Sequence, residues 1–130
     1  MATVTFRDET ATGKGIAEWE LSGLPDRTTV RELIGLRVRE EAARHNAHPT
    51  DLFTGLVRPD GAEPVRDGYR LPGPRPVDAA RQTEAAERAF TANGFFVLSG
   101  DRQLEDLDET VDLTAGATLV FVKLVALVGG

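Results

Sequence analysis

Polar and apolar residues alternate in Thr3-Val4-Thr5-Phe6, and after a turn-rich stretch from Asp8 to Gly15 the alternation resumes through Ala17, Trp19 and Leu21. A period of two marks a strand with one buried face, so this region predicts a β-hairpin with a long loop and an inward set of Val4, Phe6, Ala17, Trp19 and Leu21. Ser22 to Asp26 breaks the strand. Thr29 followed by Glu32 has the spacing of a capping box, in which each side chain satisfies an otherwise unpaired amide at the helix start. Val30, Leu33, Ile34, Val38 and Ala42 then recur at helical spacing, with Arg31, Glu32, Arg39, Glu40 and Arg44 on the other side. A helix from about Thr29 to His45 that packs one face on a sheet is the expectation.

Pro49 to Pro76 holds six of the seven prolines together with Gly55, Gly61, Gly68 and Gly73, an insertion-like run of turns. Within it Asp51 to Val57 reads either as a turn of helix or as a strand, and Arg58-Pro59-Asp60-Gly61 is a turn by residue type. Leu52, Phe53, Leu56, Val57, Tyr69 and Leu71 are enough apolar anchors to hold the segment on a folded body. Pro76 suits a first helical position, and Val77 to Ala92 predicts a second helix that stops at Asn93-Gly94. Its apolar face, Ala79, Thr83, Ala86 and Phe90, is thin.

Phe95-Phe96-Val97-Leu98 predicts another strand, turned by Ser99-Gly100-Asp101. The acidic stretch Asp101 to Asp112 reads as a solvated loop anchored by Leu104, Leu107 and Val111. After a turn at Leu113 to Gly116, Thr118 to Val125 is β-branched, aromatic and almost continuously apolar, the pattern of a strand in the middle of a sheet. No cap or turn residue separates that strand from Gly129-Gly130, and the residues from Val125 on would reach about 20 Å if extended. Glycine has no Cβ, so such a terminus can enter a cleft that would exclude any side chain. It can equally be a frayed end.

A chain of 130 residues is the size of one domain with a single core, here taken as 1-130 with an inserted segment at 47-94 and an extended tail at 125-130. A net charge of −6 argues against nucleic-acid binding, which needs a basic face. The longest apolar run, Leu119 to Val128, is too short to cross a membrane and carries Lys123. The first residues lack the basic-then-apolar pattern of a secretory signal, so a cytoplasmic location is expected. With no cysteine there is no disulfide, thiolate nucleophile or thiolate metal site. His45 and His48 have a spacing that can place two imidazoles on a metal, but no third ligand is near, and solvated helix-end histidines are the plainer reading. No catalytic or cofactor-binding constellation stands out, so the chain is not expected to be an enzyme.

The order of hairpin, helix, insertion, strand, acidic loop, final strand and diglycine resembles the ubiquitin-like β-grasp family. The resemblance rests on Val97-Leu98-Ser99-Gly100, Gln103-Leu104-Glu105-Asp106, Val111-Asp112-Leu113, Ala117-Thr118-Leu119 and Gly129-Gly130, with the Thr29-Val30 helix start. It covers about 80 residues in two blocks, Thr3 to Asn46 and Phe95 to Gly130, as a reading of the sequence. It implies an α+β fold with a mixed sheet, one main helix, and a final strand that is central and parallel to the first. The chain departs from the family in its long insertion with a second helix and in its apolar tail, Leu124 to Val128, where ubiquitin's is arginine-rich. Only Lys14 and Lys123 stand against 13 arginines, a composition that suggests a bacterial protein.

The resemblance implies a protein modifier whose Gly130 carboxylate is activated by a partner adenylating enzyme and joined to target amines through an isopeptide bond. Its partners would be that activating enzyme, a conjugating enzyme, a deconjugating protease and the protein targets, with no nucleic acid and no membrane. Two alternatives stay open. The chain can be a sulfur carrier that forms a thiocarboxylate at Gly130, as the apolar tail is similar to that of the small sulfur carriers, or a non-covalent β-grasp adaptor. Val125, Leu127 and Val128 are expected to dock in a partner's groove. Strand alternation assigns Leu119 and Phe121 inward and Val120 and Val122 outward, with Val97 beside them as a partner-binding surface, unless the inserted segment covers that face.

Overall fold

The alternation at the start of the chain becomes two strands, β1 (Ala2–Thr10) and β2 (Gly15–Leu24), and a short β3 (Arg27–Thr29) leads directly into helix α1 (Val30–Ala47). The proline-rich segment supplies β4 (Leu52–Phe53), β5 (Glu63–Val65) and β6 (Gly68–Arg70), then helix α2 (Ala79–Thr91). Four more strands follow, β7 (Phe95–Ser99), β8 (Arg102–Leu104), β9 (Thr110–Asp112) and β10 (Ala117–Lys123). These elements are those of a computed structural model that describes residues 2–10, 15–66 and 68–123. The protein is α+β, and the described residues fall into two compact units, 2–33 with 90–123 and 34–89.

In the first unit a mixed five-stranded sheet has the order β2-β1-β10-β7-β8. The continuously apolar last strand is central, parallel to β1 and antiparallel to β7. Parallel neighbours require a long connection rather than a hairpin, and all of the chain from β2 to β9 provides it. One face of the sheet buries Val4, Phe6, Phe95, Val97, Leu104, Leu119 and Phe121. Phe121 is the hub, with its ring centroid 5.7 Å from Phe6 and 6.1 Å from Phe95. Each such ring contributes roughly 1.5–3 kcal/mol through burial. Of the inward set expected in β2, Trp19 and Leu21 are half-buried and Ala17 is exposed, because β2 is an edge strand and the ladder shifts register between Asp8 and Glu9.

The acidic loop does more than meet solvent. Its backbone carbonyls at Glu109 and Leu107 accept the N–H groups of Val30 and Arg31, each at 2.9 Å, while Thr29 Oγ1 accepts the N–H of Glu32 at 3.2 Å. Three amides that an isolated helix start would leave unpaired are thereby satisfied. The stretch is not all loop, since it contains β8 and β9, and β9 at its end pairs with β3, aligning Thr28 with Val111.

In the second unit a three-stranded sheet of order β4-β6-β5 covers a cluster of Ala42, Phe53, Ala62, Leu71 and Val77. Asp51 to Val57, open between helix and strand in the sequence, forms a strand at Leu52–Phe53. Pro64 is tolerated because β5 lies at an edge. Gly68 has φ +150°, and a Cβ there would come within 2.5 Å of the Phe53 carbonyl oxygen, so only glycine fits this crossing. Helix α2 begins later than Pro76 suggests, since Asp78 caps it by accepting the Arg81 N–H at 3.1 Å through Oδ1. Asn93 stops it with φ 61°, as its sequence predicts.

Of the four buried polar residues among those described, Asp8, Thr28, Arg37 and Gln82, the sequence marks none as buried, and the last two lie on the helices. Gln82 lies inside and donates from Nε2 to the Val57 carbonyl at 3.1 Å. Arg37, only 1% exposed, shares a helical stripe with Leu33 and donates from Nε and Nη2 to Glu41 Oε2 at 3.2 and 3.1 Å. Glu41 Oε1 in turn accepts the Leu56 N–H at 3.3 Å.

Candidate functional site: the outer face of the five-stranded sheet

Pairing registers place side chains on the two faces of this sheet. Opposite residues in a ladder share a face, so Phe6, Leu119 and Phe121 belong together on the buried side and Arg7, Val120 and Leu98 on the other. One row across the outer face therefore reads Glu18, Arg7, Val120, Leu98, Gln103, from β2 to β8. The next row holds Glu9, Val122 and Phe96. Val120, Val122, Leu98 and Phe96 are all half-buried.

Val120 and Val122 thus occupy the face that strand alternation assigned to them, whereas Val97 does not. Val97 is directly opposite Phe121 and is 1% exposed, so it belongs to the core and cannot form part of a surface. The residues beside Val120 and Val122 are instead Leu98 and Phe96. Four apolar residues in a row give β7 no alternation from which its facing could be read, and pairing with β10 sets it.

The outer face divides by chemistry along its width. On the β10–β7 side it is apolar. On the β1–β2 side it carries Arg7 and Glu9, whose Nε and Oε2 atoms are 3.0 Å apart, together with the exposed Glu18 and Glu20. At the entry to β10, Asp112 Oδ1 accepts both the Thr114 hydroxyl at 2.6 Å and the Thr114 N–H at 2.9 Å. Those two bonds hold the exposed Asp112 carboxyl below its ordinary range. No family model, no curated protein and no solved structure matches this chain.

Gly129, Gly130 and the tail positions Val125, Leu127 and Val128 lie outside the described residues. His45 is not a free helix-end imidazole: its Nε2 lies 2.7 Å from the Arg75 carbonyl, which can only accept, so Nε2 carries the proton, and its ring meets Phe53 edge-on at 5.3 Å. His48 is exposed. Among the described residues no group of three or more His, Cys, Asp or Glu side chains is placed to hold a metal ion, and no helix is long and apolar enough to cross a membrane.

Proposed function

We propose that the protein is a ubiquitin-like modifier of the β-grasp type, whose Gly130 carboxylate, as the mature C-terminus, is activated and joined to amines of target proteins. The observation that supports this reading is the position of β10, central in the sheet and parallel to β1, as the β-grasp resemblance implies. A segment leaving the centre of a sheet is anchored by ladders on both sides, so a terminus beyond Lys123 would be presented by a rigid base. The chain is then the substrate of its partners rather than an enzyme.

The chemistry asked of those partners is explicit. A carboxylate resists nucleophiles until it has a leaving group. An adenylating enzyme would join the Gly130 carboxylate to AMP from ATP with release of pyrophosphate. A partner thiolate would displace AMP to form a thioester, and a target amine would displace the thiolate to form the amide. The sulfur must come from the partner, since this chain has no cysteine. Val125, Leu127 and Val128 would lie in an apolar groove of the activating or conjugating enzyme. Val120 and Val122, with Leu98 and Phe96, would form the surface that partners recognise.

Mass spectrometry of the protein and its adducts recovered from the native host is the test. The modifier reading expects a chain ending at Gly130 and, after tryptic cleavage at Lys123, a branched remnant of Leu124 to Gly130 on target lysines. A gain of sulfur in place of oxygen at Gly130 would make it a sulfur carrier, and neither product would leave a non-covalent adaptor. Removal of Gly129 and Gly130 should abolish ATP-dependent thioester formation with the cognate enzyme while leaving the thermal midpoint unchanged. Full activity of the truncated chain would overturn both covalent readings.

A further inference from the structure

Among the described residues no strand pairs with the outer edge of β2, the longer of the two edge strands of the five-stranded sheet. The strand runs for ten residues at one end of the order β2-β1-β10-β7-β8, whereas β8 at the other end has three. An edge strand presents a row of N–H and C=O groups ready to pair with another extended chain. Ala17, Glu18, Glu20 and Ser22 are exposed along it, so the edge is accessible. Its side chains alternate in kind. Glu18 and Glu20 project from one face, and Trp19 and Leu21, both half-buried, from the other.

We infer that β2 is a strand-addition site for an extended basic segment of a partner protein, one with Lys or Arg at alternate positions and apolar residues between them. Charge decides the occupant. Neither Glu18 nor Glu20 forms a salt bridge among the described residues, although Arg7 is the cross-strand neighbour of Glu18 and bridges Glu9 instead. The unit that contains β2 has twelve acidic against six basic residues in sequence, which deepens the negative potential at this edge. A second copy of the chain docking β2 against β2 would set these glutamates against one another, and like charges across a ladder are destabilising. A basic strand places opposite charges there instead, and its intervening apolar residues extend the surface of Trp19 and Leu21. Backbone pairing supplies affinity and the alternate side chains supply selectivity. This site is independent of Gly130 and of the modifier reading.

The probe is a fluorescein-labelled peptide, Gly-Ser-Lys-Val-Arg-Val-Lys-Ser-Gly, titrated with the full chain by fluorescence anisotropy. A second peptide of the same sequence carries N-methyl groups on the amides of alternate residues, which keeps the charge and removes the ladder donors. The parent peptide should bind saturably, and the methylated one at least about tenfold more weakly. Backbone amide shifts in NMR should concentrate on residues 15–24. The variant Glu18→Lys/Glu20→Lys should lose binding about tenfold or more, while Asp101→Lys/Glu105→Lys, the same charge change at exposed acids elsewhere in the unit, should not. Equal binding of the methylated peptide, equal loss in the Asp101/Glu105 variant, or no binding at all would each overturn the proposal. So would a dimer in sedimentation equilibrium whose interface maps to β2, because the occupant would then be a second copy. The two-peptide comparison uses the unaltered protein and stands even if the charge-reversed variants fold poorly.

Discussion

The unit built on the five-stranded sheet and the unit built around the small sheet are stabilised by different chemistry. In the first, long ladders consume the backbone polar groups, and a cluster of Phe6, Phe95 and Phe121 fills the buried face. In the second, strands are two or three residues long, and side chains complete the backbone pairing. Asn46 donates to the Val77 carbonyl at 2.9 Å and accepts the Val77 N–H at 2.8 Å, replacing a ladder rung with one amide side chain. Glu41, Gln82 and His45 serve Leu56, Val57 and Arg75 in the same manner. Charge separates the units as well, since the second has nine acidic and nine basic residues and the first carries the entire net charge of −6. A proline-rich segment lacks the donors to build long ladders, so its order depends on a few particular side chains rather than on a repeating pattern.

The largest effect should come from the sheet's hub. Phe121→Ala should destabilise the first unit by about 3–5 kcal/mol, the usual cost of truncating a buried ring, read from urea unfolding. A loss below about 1 kcal/mol would show that the ladders hold without the ring cluster.

For the second unit, Arg37→Ala should cost about 3 kcal/mol, because it leaves the Glu41 carboxylate without its buried partner. Arg37→Met/Glu41→Gln removes both charges and keeps a side-chain acceptor for the Leu56 N–H, so it should cost much less. If the double variant is as unstable as the single one, uncompensated charge is not what the pair guards against.

The smallest effect should be one of pH. Asp112 is held below its ordinary range by Thr114, so the folded state favours the ionised form more than the unfolded state does. Its stabilising contribution is therefore present above the unfolded carboxyl's range and is lost as pH falls through the lowered folded value. An NMR titration should find the Asp112 midpoint below that of an unstructured aspartate, and Thr114→Ala should raise it while leaving the backbone bond. An unshifted midpoint in the unaltered protein would remove Asp112 from any account of acid sensitivity.

What could be read from the sequence follows the same division. Period-two alternation placed Val4 and Phe6 inside, the capping spacing at Thr29 and Glu32 located the start of α1, and the unbroken apolar run placed β10 centrally. Each of those signals is local. Val97 was assigned to the wrong face because Phe95 to Leu98 is apolar throughout, and its facing is fixed only by a partner strand more than twenty residues away. β3 and β9 were missed because three polar-rich residues, such as Arg27 to Thr29, form a strand only once their distant partner arrives. Arg37 is typed as a surface residue by charge, and the i,i+4 spacing to Glu41 amid Leu33, Ile34, Val38 and Ala42 was the available sign that it is buried. The outer face could be half read, through Val120 and Val122, and the contributions of Leu98 and Phe96 depended on the same missing register.

The parallel pairing of β1 with β10 also governs when this sheet can form during synthesis. Val4 aligns with Ala117, so the middle of the sheet is made last among the described strands, long after the hairpin of β1 and β2. Until then the hairpin waits with an open edge on the side that β10 will fill, and a nascent chain halted in the acidic loop cannot close the sheet. Contacts this distant in sequence slow folding and prolong exposure of unpaired edges. Ribosome-bound chains stalled before Ala117 should therefore depend on chaperone protection that chains released beyond Lys123 no longer require.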